Sequence, residues 1–451
     1  MKTNENGCAE IISVGTELLL GDIVNTDAAY LARELAALGI PCYYQSVVGD
    51  NPARLRAMLE NAKTRSRWIF LTGGLGPTCD DLTKETAAAV MGKTLVLHEE
   101  SYERIRKILV SRKLPETDNQ KKQAILPPDA FVFTNDYGTA PGFAMEDGDT
   151  VMILMPGPPR ELEPMFAERV RPYLAKKTTG ETIFSLNIGL FGIGEAAVEA
   201  CLRDRMETCS NPTIAPYCGE GEVRLRITAR GENEDICSSM CLAMAEEIND
   251  VPCLDGTHTL KEFIYGVGVS TLEEAAVRLL RKEGLTVTAA ESCTGGYIAK
   301  RLTDIPGASD ILKGSFVTYS EETKQQMVGV SPETLEKASV YSFETAREMA
   351  LGAKRALGAD ISVGVTGVAG PGGAEIIHNG ERETLPAGTV FIACVYGKDD
   401  AVIEKRVLLA PGNRNPIEGR EFVRRRASSH AISLILAAAE ALAADKAAVS
   451  T

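Results

Sequence analysis

Apolar and polar positions along this chain fall into blocks whose period changes. Ala9–Val14 is a compact apolar run that stops at Gly15, as a buried strand does. Thr26–Leu38 places Ala28, Leu31, Ala32 and Leu35 on one helical face and ends at Gly39. Cys42–Val48 predicts a second strand. Asp50-Asn51-Pro52 then supplies an N-cap and a proline for the first turn of a helix. Arg67–Leu71 predicts a third strand, ending in Thr72-Gly73-Gly74. This alternation, from about Ala9 to Tyr173, predicts a parallel sheet with helices on both faces.

The rhythm changes near Lys176. Thr182–Phe191 reads as a strand, Glu195–Arg205 as a helix, Glu222–Arg230 as an alternating strand and Glu234–Asn249 as a helix. Val223, Leu225 and Ile227 against Arg224, Arg226 and Thr228 fit a sheet with one wet face. Asp255–Ser270, with three glycines and no strong period, reads as a linker. A third block starts with a helix at Leu272–Lys282 and a strand at Leu285–Ala290. It alternates strands and helices to a final helix over Glu418–Ala444. The expected fold class is therefore α/β and multidomain, with domains at 1–175, 176–264 and 271–451. The length of 451 residues agrees, at roughly 150 residues per domain.

Composition narrows the function classes. Lys and Arg total 48 against 62 Asp and Glu, a formal net charge of −14. An acidic chain of this size lacks the basic field of a general nucleic-acid or membrane-surface binder, so neither partner is expected. The start, Met1-Lys2-Thr3-Asn4-Glu5-Asn6, has no apolar signal-peptide core, and the apolar stretch Ala431–Ala439 ends at Glu440, short of a membrane span. The 11 cysteines contain no C-x-x-C pair, which fits reduced thiols and a cytoplasmic location. A homodimer is the default expectation.

Candidate chemistry is sharpest in the third block. Glu291-Ser292-Cys293-Thr294-Gly295-Gly296 follows a buried strand and opens a helix, the ligand-binding edge of an open α/β sheet. Ser292 or Cys293 could attack an acyl carbon there, with the helix N-terminus stabilising an oxyanion or phosphate. Equally, Ser292 could be an N-cap. With four histidines in the chain and none nearby, a lysine of depressed pKa is the alternative base. Tyr319 closes the next strand, Ile311–Thr318, and Lys324 follows just over one helical turn later. The strand Ile361–Val365 runs into Thr366-Gly367-Val368-Ala369-Gly370-Pro371-Gly372-Gly373, whose backbone N–H groups suit a phosphate or an oxyanion. Arg420 and Arg424 lie four apart on one helix, either a phosphate clamp or surface charge.

Together, Glu291–Gly296, Tyr319 with Lys324, and Thr366–Gly373 resemble the nicotinamide-nucleotide amidohydrolase domain of the competence/damage-inducible protein A (CinA) family. The resemblance implies Ser292 as nucleophile, Tyr319 and Lys324 as its activating pair, and Thr366 in the active site. Thr294, Gly295, Gly296, Gly367, Ala369, Gly370, Arg420 and Arg424 are the candidate substrate contacts. It implies hydrolysis of nicotinamide mononucleotide to nicotinate mononucleotide and ammonia, with no cofactor. The chain departs from the family pattern at Ala374–Leu385, which is longer than the usual loop.

The first block has its own constellation at the ends of its strands. Gly15-Thr16-Glu17-Leu18, Asn25, Asp50 and Thr72-Gly73-Gly74-Leu75-Gly76-Pro77-Thr78-Cys79-Asp80-Asp81 all fall at the binding edge. Gly73, Gly74 and Gly76 let backbone approach a pyrophosphate or ribose. Glu17, Asp50, Asp80 and Asp81 are hard oxygen ligands suited to Mg²⁺ with a substrate phosphate. Asp80 or Asp81 could also cap the helix beginning near Leu82. Gly138-Thr139-Ala140-Pro141-Gly142 and Pro156–Glu161 are rigid turns fit to line the same cleft, with Thr139 as a substrate contact. These motifs resemble the molybdopterin-binding-like α/β sandwich that begins full-length CinA proteins. That implies ADP-ribose hydrolysis to AMP and ribose 5-phosphate, dependent on Mg²⁺ or a transition metal. The middle block, with Phe191-Gly192-Ile193-Gly194-Glu195, is similar to the family's small KH-like α+β domain. A non-catalytic nucleotide-binding role in competence or DNA recombination is the alternative to a two-activity enzyme of pyridine-nucleotide salvage.

Overall fold

The computed structural model describes residues 7–78, 81–111, 113, 115–177, 182–219, 221–378 and 380–449. The chain divides into two compact units: Met1–Phe184 with Ala229–Ser238, and Ser185–Thr228 with Ser239–Thr451.

The first unit is built on a six-stranded sheet. Cys42–Val48, Ala9–Val14, Trp68–Thr72 and Thr150–Met155 lie side by side and parallel, followed by Gly142–Asp147 and Phe131–Phe133, which are antiparallel. Successive side chains of the central strands bury on opposite faces. Ile11, Phe70 and Ile153 meet the Thr26–Ala37 helix through Leu31 and Leu35. Ile12, Leu71 and Leu154 meet the Pro52–Arg65 helix through Leu55 and Leu59. Two helical layers on a near-continuously apolar sheet is the arrangement that the run pattern requires. The reversed strand Gly142–Asp147, paired antiparallel on both sides, departs from the expected all-parallel sheet. Gly148, at φ 57°, turns Asp147 straight back into Thr150, too short a connection for a parallel crossover. Glu10, fully buried in the first strand, is matched by Arg65 at 2.7 and 3.0 Å.

The second unit holds two main sheets and a two-stranded hairpin. The smaller has the order Thr213–Cys218, Glu222–Gly231, Thr182–Phe191, Ile264–Val267. Val223, Leu225 and Ile227 are buried, as their alternation predicts. The last strand corrects the reading of Asp255–Ser270 as a linker. Ile264–Val267 pairs antiparallel with Ile188–Leu190, and the turn before it is closed by a Thr259/Glu262 capping box. The pairing satisfies the backbone of a stretch whose side chains carry no period, so the sequence pattern is blind to it.

The larger sheet runs Leu312–Val317, Val287–Glu291, Ile361–Gly367, Thr389–Tyr396, Ala401–Leu408, the first three parallel and the last two antiparallel. Residues Ala374–Leu385 form a β-hairpin of their own, Ala374–His378 against Glu381–Leu385. The final helix, Pro416–Val449, is longer than expected and contains a segment long and apolar enough to cross a membrane by length and composition. Most of that segment is buried, and Val423, Ala427, Ala431, Ile435 and Ala438 pack into the core of the unit. It is the core helix of this domain. Cys8, Cys42, Cys201, Cys209, Cys253, Cys293 and Cys394 are free thiols.

Candidate functional site

The carboxyl edge of the larger sheet brings three separate segments together. Val287–Glu291 pairs in parallel with Leu312–Val317 on one side and Ile361–Gly367 on the other. Ser292 therefore emerges between the two neighbouring strand ends, with its N–H donating to the Val365 carbonyl at 3.0 Å. The next strand hands over to the Glu321–Val328 helix, whose first turn is capped by Ser320. That cap sets the rotation of the helix and turns Lys324 inward, fully buried.

Lys324 Nζ lies 3.0 Å from Ser292 Oγ, 2.8 Å from the Thr318 carbonyl and 3.2 Å from the Tyr319 carbonyl. Burial pushes the Lys324 pKa down to about 8, against opposing pulls from Cys293 and Glu321. A neutral amine has two N–H bonds and one lone pair. The two carbonyls take the N–H bonds, which leaves the lone pair for the proton of Ser292. The neighbouring Cys293 is buried, and desolvation pushes its thiol up to about 12, far from the thiolate a nucleophile needs.

Glu291, named only as part of a motif by the sequence, has a structural task. Its buried carboxylate accepts from the N–H groups of Gly296 (2.9 Å), Ile298 (3.1 Å) and Ala299 (3.1 Å), and from Ser315 Oγ at 3.2 Å. It caps the Tyr297–Thr303 helix in place of Ser292, whose hydroxyl stays with Lys324. The same bonds occupy the helix N-terminus, which is therefore not the oxyanion or phosphate site that the sequence suggested.

A cavity of about 510 Å³ opens at Ser292. Its wall includes Cys293, Tyr319, Lys324, Tyr341, Arg420 and the glycine loop from Gly367 through Ala374, with Ala369 and Gly370. Thr294, Gly295, Gly296, Thr366 and Arg424 are not in that wall. Thr294 is buried, and its carbonyl accepts from Arg424 Nε at 3.3 Å and Nη2 at 3.2 Å. Arg424 also stacks over the Tyr297 ring and pairs with Glu421, so it braces the nucleophile turn rather than clamping a ligand. Arg420, one helical turn earlier, reaches the cavity by donating to the Gly370 carbonyl and, at 3.2 Å, to the Tyr319 hydroxyl. The Tyr319 ring is exposed and touches Lys324 only through its backbone carbonyl, so its hydroxyl is not paired with the base. Thr366 is fully buried and donates to the Val340 carbonyl at 2.8 Å, which holds the Val340–Tyr341 segment against the cavity. Tyr341 is a wall residue that sequence reasoning missed, as are Ser320, Glu321 and Val340. It sits in a loop with no glycine motif and no strand end of its own.

The first unit carries a second cavity, of about 570 Å³, at its own strand ends. Glu17, Asn25, Asp50, Gly73, Gly74, Gly76, Asp81 and Thr139 all line it; Asp80 lies outside the described residues. Gly73 has φ +91°, and a Cβ there would strike the Val14 carbonyl oxygen, so only glycine lets this loop close over the first strand. Asp50 Oδ2 accepts from Thr16 N at 3.0 Å and Thr16 Oγ1 at 2.8 Å. Asp81 Oδ2 accepts from Thr78 N at 2.8 Å and Thr78 Oγ1 at 2.5 Å. Each aspartate thus fixes a loop with one oxygen and keeps the other outside those bonds. Asn25 is the cap of the Thr26–Ala37 helix, accepting from Ala28 N at 3.1 Å and donating to Ser13 Oγ at 3.0 Å. Glu161, from the Pro156–Glu161 turn expected to line the cleft, is in the same wall, and so is Asp27, which the sequence did not single out. The described wall holds five carboxylates, Glu17, Asp27, Asp50, Asp81 and Glu161, and no Lys, Arg or His. Among the described residues no three acidic, His or Cys side chains converge as a metal cage. An all-oxygen set of one or two carboxylates does fit a hard cation that shares its remaining positions with water and phosphate oxygens. It does not fit the N/S-rich donor set of a transition-metal cage.

Comparison with known proteins covers nearly all of this architecture. Residues 10–176 match the family model of a probable molybdopterin binding domain, 185–252 that of the damage-inducible protein CinA KH domain, and 269–438 that of the CinA C-terminal domain. A CinA-like protein of Kosmotoga olearia is 45% identical over 423 residues, covering 92% of this chain and 98% of its own. A putative competence-damage inducible protein of Clostridium acetobutylicum is 44% identical over 412 residues, covering 91% and 95%. Among solved structures, the competence/damage inducible protein CihA of Agrobacterium tumefaciens is 35% identical, covering 38% of this chain and 96% of its own, with a TM-score of 0.32. With three domain models in order and relatives matched over almost their whole length, the chain belongs to the CinA family.

Proposed function

We propose that the second unit hydrolyses the carboxamide of nicotinamide mononucleotide, releasing ammonia and nicotinate mononucleotide. The observation that carries this reading is Lys324 Nζ at 3.0 Å from Ser292 Oγ, buried and short of charge-stabilising partners. In this reading Ser292 Oγ attacks the amide carbon while its proton passes to Lys324. The tetrahedral intermediate collapses with ammonia as leaving group, taking its proton back from Lys324. Water then cleaves the acyl-Ser292 ester by the same proton route. Arg420, the cavity's guanidinium, is the anchor for the 5′-phosphate. Incubating the full-length protein with nicotinamide mononucleotide tests the reading directly. Stoichiometric ammonia and nicotinate mononucleotide are expected; a full-length, folded protein that releases neither would remove it.

A second activity is favoured by the acidic cavity of the first unit. We propose that this cavity hydrolyses ADP-ribose to AMP and ribose 5-phosphate. A wall of carboxylates repels a pyrophosphate unless a cation accompanies it. A divalent cation such as Mg²⁺, held near Asp81 with Asp80, Glu17 or Asp50 helping, would neutralise the phosphate oxygens and open the phosphorus to attack by water. The chain's own part is to hold Asp50 and Asp81 rigid through Thr16 and Thr78, and to bring glycine backbone against the diphosphate. Excess EDTA is therefore expected to stop AMP formation. Asp81→Asn should lower it by about 10²-fold or more while leaving ammonia release from nicotinamide mononucleotide within about twofold. Undiminished AMP formation in excess chelator would rule this mechanism out.

A further inference from the structure

The Thr26–Ala37 helix places one more acid in the wall of the first unit's cavity, and it differs from the others. Asp50 and Asp81 are engaged by threonines, Glu161 accepts from Asn135 at 2.9 Å, and Glu17 is exposed. Asp27 is only 8% exposed, and its Oδ1 is enclosed with no hydrogen-bond partner. A carboxyl enclosed without partners costs stability. The helix gains no cap from it either, because Asn25 already serves Ala28. Such a group in a cleft is a candidate for chemistry rather than for folding.

We propose that Asp27 is the proton acceptor of this cavity, taking a proton from the water that attacks a bound diphosphate ester. The proposal rests on the reading of the cavity as a pyrophosphate-hydrolysing site. In the step, the water oxygen forms a bond to one phosphorus and a water proton passes to Asp27. The bridging P–O bond breaks, and its electron pair leaves with the departing phosphate. Asp27 then returns the proton to solvent.

The surroundings suit that task. Burial, and then repulsion from Glu163, push the Asp27 carboxyl up to about 6. It is therefore ionised above pH 6 yet basic enough to accept a proton, close to the optimum for a base working near neutrality. The charges on the packed elements leave this intact. The Pro159–Met165 helix brings Arg160, Glu161 and Glu163, with Glu161 held by Asn135. The first strand offers only Glu10, which is engaged by Arg65. The Cys42–Val48 strand has no charged residue. On the helix itself Glu34 is paired with Arg171, and Arg33 lies further along the turn. The cavity wall also holds Glu17, Asp50 and Asp81.

The test uses the full-length protein with Mg²⁺ and ADP-ribose, comparing wild type, Asp27→Asn, Asp27→Ala and Asp81→Asn. Asp27→Asn is expected to lower kcat by about 10²- to 10³-fold. Its affinity for AMP, read by calorimetry, should stay within about threefold, since the acceptor acts on water and not on the nucleotide. The acid limb near pH 6 in the wild-type kcat profile should vanish from the residual activity, and added formate should restore part of the activity of Asp27→Ala. Wild-type turnover with Asp81→Asn inactive but Asp27→Asn within about threefold of wild type would overturn the role of Asp27 alone. So would an acid limb that persists in Asp27→Asn, or formate without effect. No AMP from wild type under any divalent cation would overturn the pyrophosphatase reading and this proposal with it.

Discussion

Ser292→Ala is expected to abolish ammonia release from nicotinamide mononucleotide, with a fall in kcat on the order of 10⁴-fold or more. The size follows from the arrangement. Nucleophile and base act as one unit, with Lys324 Nζ poised on Ser292 Oγ, so removing the hydroxyl leaves the base with nothing to activate but water. The neighbouring thiol cannot stand in, because burial keeps Cys293 protonated. KM should change little, since the wall formed by Arg420 and the glycine loop is untouched. The fold should hold as well. Lys324 keeps the Thr318 and Tyr319 carbonyls, and Glu291 keeps the helix capped. Steady-state ammonia assays on the two proteins, with thermal unfolding as the control, decide it. A variant rate within about threefold of wild type would move the nucleophile to Cys293.

Much of this site is legible in the sequence, because strand ends write clear signatures. A buried apolar run followed by Gly, Ser, Thr or Asp marks the carboxyl edge of a parallel sheet, and each of Ser292, Gly73, Asp50 and the Gly367–Gly373 loop was found that way. What the pattern could not give is side-chain direction. Arg420 and Arg424 share a helical face by spacing, yet one enters the cavity and the other turns to Thr294 and Tyr297. The long helix passes two different elements within one turn, and only the fold says which lies opposite each residue. Thr366 differs for a related reason. It is a polar residue at the right edge, but its hydroxyl is spent on the Val340 carbonyl. Asp27 is hidden in the opposite sense. It sits in the first turn of a helix, where an acid is unremarked, and only its enclosure sets it apart.

Lys324 carries the other large effect, and its sign is fixed by desolvation. Lys324→Ala should lower deamidation by on the order of 10³-fold or more. Lys324→Arg should not restore it, because a guanidinium keeps its proton and has no lone pair to offer Ser292. In the wild type, burial holds the ammonium pKa near 8 instead of its ordinary value of 10.5. The active form is the neutral amine, so kcat/KM should rise with pH, by about tenfold per unit below the inflection, and level off above about 8. The same shift works on stability. The folded state binds this proton less tightly than the unfolded state, so between about pH 8 and 10.5 this one group makes stability rise with pH. Below about pH 8 both states are protonated and the full cost of a buried ammonium is present, a cost the fold bears to keep a base beside its nucleophile. A pH profile of kcat/KM measured on wild type and on Lys324→Ala checks the assignment. An inflection near 8 that survives in the variant would belong to another group and would take the base away from Lys324.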